Sequence, residues 1–356
     1  MLSSSLLPLA LAAALAAPVG GPVPAYPAEV PPPPQVSAAE WIVYDATADV
    51  VLASWNAHDR RPMASVTKIM TAVVVLDEVG LDEVVTVPGF ATRTRGSKAG
   101  LVAGERLTVN DLLVSMLVRS GNDAALTLAW YVGDGSVERF VSLMNAKARA
   151  LGMQDTHFAN PNGLDRDGHY TTASDLITLM KTAVRFPDIR RITSIKLVKT
   201  PADRTGLSRH FTNTNRLLGA YPGVVGMKTG DTPQAGKVLL ALAERGPRTL
   251  MTVVMGSEDH FADTRELLDW GFATYGVADR LLRPLYAEEG GGGLPAVGLE
   301  LGEGRRRRLA AMPRLDDGRW RMSAIAELPK GRRIGEWLRD TLPGALGGAG
   351  GTEDGG

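Results

Sequence analysis

No cysteine occurs anywhere in the 356 residues, which excludes disulfides, thiolate metal sites and a cysteine nucleophile together. An excess of one charge is missing too. The chain carries 39 basic and 39 acidic residues, whereas a nucleic-acid binder normally shows a basic surplus or stripe, so no nucleic-acid partner is expected. The five histidines, His58, His157, His169, His210 and His260, never pair at ligand spacing; core or surface roles are expected for them, and no metal or other cofactor. Long apolar runs are scarce, and the one at 6–17 is too short to span a bilayer as a mature helix.

That run ends in Ala14-Leu15-Ala16 before Ala17-Pro18, small residues of the kind a signal peptidase accepts. Residues 1–17 therefore read as a secretory signal peptide, although no lysine or arginine precedes the run, and the protein is expected outside the cytoplasm. Residues 18–35 follow as a proline-rich, solvated linker closing on Pro31-Pro32-Pro33-Pro34.

A main domain over 36–285 comes next. Strand-like runs at 41–45 and 50–55 suit a hairpin, and 82–107 mixes short extended pieces with glycines as loops. Helical patterns follow from Thr108, where Thr108 and Asp111 have capping-box spacing, then from Asp123, at 137–151 and at 172–184. Strand character returns at 224–230, 237–242 and 249–255, with Arg245-Gly246-Pro247 as a turn, before a closing helix at 264–275. Strands, inserted helices, strands and a final helix, with no repeated βαβ unit, give an α+β class: a mainly antiparallel sheet covered by helices. Gly290 to Gly293 form a linker candidate. Beyond it a small C-terminal region at 294–342 holds Arg305-Arg306-Arg307-Arg308, and a glycine-rich tail at 343–356 is expected to be disordered.

The chemistry is carried by Pro62-Met63-Ala64-Ser65-Val66-Thr67-Lys68-Ile69-Met70. Apolar residues at helical spacing predict a buried helix whose first turn carries Ser65 and Lys68, three residues apart on one face. A serine hydroxyl is a weak nucleophile until a neighbour takes its proton, and a lysine can do so only where burial favours the neutral amine. Alone, Ser-x-x-Lys reads first as a capping serine followed by a solvated lysine, since such spacing arises easily by chance. Two further pieces change the weight: Ser120-Gly121-Asn122 at a tight turn between helices, and Lys228-Thr229-Gly230 in a strand.

With Thr156 to Leu164 and Asp231 to Gly236 as added context, the chain resembles the D-alanyl-D-alanine carboxypeptidases, low-molecular-weight penicillin-binding serine peptidases of the bacterial cell wall. The likeness covers roughly residues 35–275. It implies a β-lactamase/transpeptidase-like fold, a five-stranded antiparallel sheet flanked by helices plus an all-helical lobe, with the site between. It implies Ser65 as nucleophile, Lys68 as base kept neutral with help from Lys228, Ser120 as proton relay, and Asn122 orienting Lys68 and the substrate amide. The backbone amides of Ser65 and Asp231 would hold the oxyanion; Lys228, Thr229, Gly230 and Asp231 would line the substrate, and Arg265 matches an arginine position of relatives. Implied partners are a peptidoglycan stem peptide ending in D-Ala-D-Ala and β-lactams as covalent inhibitors. The rival readings are a β-lactamase, disfavoured because no Glu-x-x-Leu-Asn loop accompanies the motifs, and a non-catalytic penicillin-binding wall protein. Membrane association is left open.

Overall fold

Two rows of alternating apolar residues explain why the sheet is covered on both sides. In β1 (Glu40–Asp45), Ile42 and Tyr44 join one apolar core while Trp41 and Val43 join the other, as the period-2 pleat requires. β2 (Val50–Trp55) completes the expected hairpin, and the chain then enters a short 3-10 turn, Ala64–Val66, followed by α1 (Thr67–Glu78). The computed structural model describes residues 31–200 and 208–287, with side chains as far as 274. The signal peptide, residues 18–30 of the proline-rich linker, the 294–342 region with its arginine run and the 343–356 tail lie outside the described residues. The chain divides into two compact units, Met1–Leu285 and Tyr286–Gly356, and all contacts given below fall within the first.

A two-stranded ribbon of β3 (Val84–Thr86) and β4 (Arg106–Thr108) frames the loop-rich segment. The helical lobe follows as α2 (Val109–Leu117), α3 (Asn122–Val132), α4 (Val137–Leu151) and α5 (Ala173–Ala183). At the start of α2, Thr108 accepts from the Asp111 amide while the Asp111 carboxylate accepts from the Thr108 amide. The short α6 (Pro187–Thr193) and the ribbon of β5 (Leu197–Lys199) with β6 (His210–Thr212) have no counterpart in the sequence reading. Three residues offer too little period to be read as a strand.

β7 (Val224–Thr232), β8 (Gly236–Arg245) and β9 (Arg248–Ser257) close a five-stranded sheet in the order β2-β1-β9-β8-β7, antiparallel throughout. One face packs under α1 and the helical lobe through Leu240, Leu242, Val253 and Met255. The other, with Leu239, Ala241, Leu250 and Val254, is covered by Leu267, Leu268 and Trp270 of α7 (His260–Ala287). The last strand, β7, is an edge, and it carries the lysine motif beside the Ser65 turn. Among the described residues, no helix is long and apolar enough to cross a membrane.

Candidate active site

α1 is buried on nearly every side: Ile69, Met70, Ala72, Val73 and Val75 have no solvent exposure, and neither has Lys68. A lysine drawn into a core by its apolar neighbours must find acceptors or lose its proton. Lys68 Nζ meets three oxygens: Ser65 Oγ at 2.9 Å, Asn122 Oδ1 at 2.8 Å and the main-chain carbonyl of Asn162. Its pKa is held well below the usual lysine range, first by burial and then by the nearby Lys228 cation, with Asp123 opposing. Two of the three oxygens can only accept. In its neutral form such an amine has two N–H bonds for Asn122 and Asn162 and a lone pair for the Ser65 hydroxyl, which also lies 3.5 Å from the Asn162 carbonyl.

Ser65 departs slightly from expectation, since it sits in the 3-10 turn before the α-helix proper. In a 3-10 turn residues i and i+3 eclipse, which suits the short Ser65–Lys68 contact. Ala64, just before it, has φ 50°, in a left-handed region that an alanine enters at a cost of about 1 kcal/mol.

The Ser120-Gly121-Asn122 turn joins α2 to α3 as the sequence predicts, with Ser120 buried and at φ 64°. Its aim is set by the 95–101 segment: Asn122 accepts nothing on its amide nitrogen, which donates to the Arg95 carbonyl at 2.7 Å, so Oδ1 is left for Lys68. Asp123 pins the same segment by accepting from the backbone amides of Ala99, Gly100 and Leu101. These contacts bring Asn122 onto Lys68; the contacts among the described residues include none from the Ser120 hydroxyl to Ser65 or Lys68.

On β7, Lys228 is 1% exposed and donates to the Thr229 carbonyl at 2.9 Å; burial lowers its pKa to about 7. Thr229 Oγ1 donates to Thr214 Oγ1 at 2.6 Å. Gly230 touches the nucleophile's turn so closely that a Cβ there would stand 2.9 Å from the Ser65 nitrogen and 2.8 Å from Ala64 Cβ. Asp231 follows on the same strand. Asp165 ties the site loop to the β7–β8 turn, accepting from Thr232 Oγ1 at 2.6 Å and the Gln234 amide at 3.2 Å. The Arg265 side chain is exposed on α7, with no hydrogen bond or ion pair among the described residues.

The Asn162 carbonyl and Thr214 are the site groups that the sequence reading missed. A main-chain carbonyl leaves no trace in residue identity, and Thr214 lies in a polar stretch, Thr212-Asn213-Thr214-Asn215, without a motif. Among the described residues no group of three or more histidine or acidic side chains could hold a metal ion.

The model of the D-alanyl-D-alanine carboxypeptidase family matches residues 27–259. A D-alanyl-D-alanine carboxypeptidase of Mycobacterium tuberculosis is 36% identical over 255 residues, 69% of this chain and 86% of that one. One from Bacillus subtilis is 34% identical over 233 residues, which span 63% of this chain and 59% of the relative's own length. Among solved structures, the Streptomyces K15 DD-transpeptidase superposes with a TM-score of 0.65 at 32% identity, covering 68% of this chain and 99% of that one.

Proposed function

Because the chain belongs to the D-alanyl-D-alanine carboxypeptidase family, we propose that it removes the terminal D-alanine from peptidoglycan stem peptides through an ester on Ser65. One observation carries the reading: a fully buried amine within hydrogen-bond distance of the Ser65 hydroxyl, at 2.9 Å, and of two oxygens that can only accept, Asn122 Oδ1 and the Asn162 carbonyl.

Lys68 takes the proton as Ser65 Oγ bonds to the carbonyl carbon of the terminal peptide bond. The backbone amides of Ser65 and Asp231 hold the oxyanion, a role supported by the close seating of β7 against the Ser65 turn. The C–N bond then breaks, and Ser120 passes the proton to the departing D-alanine nitrogen. Water attacks the ester by the reverse proton path and frees Ser65.

The substrate's free carboxylate is assigned to Lys228 and Thr229, with Arg265 as an outer cation; a raised KM in Arg265→Ala checks the last. Carboxylate binding favours the charged form of Lys228, and that charge in turn keeps Lys68 neutral, so a bound substrate helps prepare its own base. β-Lactams, which carry a carboxylate and a reactive carbonyl, are proposed to acylate Ser65 in the same way. We also propose export by the 1–17 signal peptide, since peptidoglycan lies outside the cytoplasm.

Intact-mass measurement after penicillin treatment tests the reading. One adduct is expected on the native chain and none on Ser65→Ala, and purified protein should release D-alanine from a D-Ala-D-Ala peptide. A second reading is favoured by the name of the Streptomyces neighbour: the acyl-enzyme passes to an amine instead of water. Transpeptidated dimers in place of free shortened peptide would show it.

A further inference from the structure

Of the three pieces of chain that meet Lys68, the Ser65 turn, Asn122 at the start of α3 and the 159–164 loop, the first and the last are both bonded to one buried histidine. His169 is 4% exposed. Its Nδ1 lies 3.0 Å from the Ala159 amide, which can only donate, so Nδ1 is the bare nitrogen and Nε2 carries the hydrogen. Nε2–H then donates to Thr67 Oγ1 at 2.8 Å, and Thr67 Oγ1 donates to the Ala64 carbonyl at 2.7 Å. Every donor and acceptor in this chain has one consistent assignment.

We infer that His169 is a positioning residue for the acylation step, spacing the Asn162 carbonyl from the Ser65 turn through one fixed tautomer. The loop end of the relay, Ala159, is three residues before Asn162, whose carbonyl accepts from Lys68. The other end, Ala64, immediately precedes Ser65. The two pieces are in direct contact as well: a Cβ on Gly163 would lie 2.0 Å from the Ala64 oxygen, so there is no slack to absorb a shift. Phe158 packs edge-on against the imidazole with ring centroids 6.0 Å apart, which holds the ring plane. Burial, with His157 and Lys68 acting in the same sense and Asp165 opposing, keeps the pKa at about 4, so the ring is neutral where a peptidase of this kind works.

This inference rests on Ser65 and Lys68 acting as proposed above, and its test compares variants that all retain them. The rate constant of acylation by a fluorescent penicillin is measured separately from the affinity of the pre-covalent complex. His169→Phe keeps ring volume and removes both bonds; acylation is expected to slow about 10- to 100-fold, the range for a reacting group displaced by about an ångström, with affinity within about twofold. His169→Gln, whose amide N–H can reach Thr67, should recover most of that loss. Thr67→Val should reproduce the deficit, and the His169→Phe/Thr67→Val double variant should be no slower than the slower single, as members of one relay behave. A folded His169→Phe with native acylation rate would overturn the inference, as would additive deficits or a loss confined to affinity. If His169→Phe does not fold, Thr67→Val decides in the same way. Absence of any penicillin adduct on the native chain would sink the functional reading instead.

Discussion

An amine with no access to water holds its proton only as tightly as its acceptors and neighbouring charges allow. Lys68 and Lys228 are both in that position: burial lowers the pKa of each, and the Lys228 cation lowers that of Lys68 further. Lys228→Met leaves Lys68 without the repelling cation, so its pKa rises. The acid limb of the pH–rate profile for penicillin acylation should move to higher pH; an unmoved limb would mean that Lys228 does not tune the base. The same substitution bears on stability. The folded-state pKa of Lys228, about 7, lies below its ordinary 10.5, so stability is fully present above 10.5 and is lost as pH falls toward 7. At about pH 6 the native fold holds a buried cation, and Lys228→Met should raise the unfolding free energy by about 1–4 kcal/mol, a gain that shrinks as pH rises toward 10.5. Denaturant titrations of the two proteins at acidic and alkaline pH measure it. The identity of these residues was legible in the sequence. Their protonation was not, because it depends on which other groups share the cavity.

Between elements, the site depends on backbones that touch. Gly230 lets β7 lie against the Ser65 turn, and Gly163 lets the 159–164 loop reach the Ala64 carbonyl at φ 83°. The two should fail differently. Gly230→Ala meets the Ser65 amide and the end of the small Ala64 side chain, so the edge strand can shift outward; acylation should fall about 100-fold with only a modest drop in melting temperature. Gly163→Ala meets main chain in a conformation an alanine resists, and should lose more than about 2 kcal/mol of unfolding free energy. Acylation kinetics and chemical denaturation on both variants make the comparison. The helices and long strands were readable because their apolar periods are long: β2 falls where expected, and the Thr108 cap is present. The closing helix begins earlier and runs later than the 264–275 read from its apolar residues, because its first turn, His260 to Asp263, carries little hydrophobic pattern. The expectation that Arg265 joins the site came from resemblance, and since the side chain is exposed on that helix, the KM of Arg265→Ala decides its role.

At the scale of the first compact unit, the antiparallel sheet is the frame that a helical lobe and one closing helix cover from opposite faces, and catalysis is proposed where the lobe's loops meet the β7 edge of that frame. An edge strand is otherwise a liability, since its free amides and carbonyls invite pairing. Here we propose that the same edge pairs with the extended substrate peptide as an added strand. The proposed export belongs to this scale too. Protein recovered from outside the cytoplasm should have an amino terminus within residues 18–35, and amino-terminal sequencing checks it; an intact Met1 would refute cleavage.

Composition and period by themselves determined the absence of thiol chemistry, the α+β order of elements and the three motifs, because each depends only on residue type and local spacing. Only the tertiary structure decided that Lys68 has no solvent exposure, that the Asn162 carbonyl and Thr214 lie beside the motif residues, and that His169 bridges the 159–164 loop and the Ser65 turn. Those outcomes rest on contacts between residues up to about a hundred positions apart, and on main-chain atoms that every residue shares, so no local pattern could encode them.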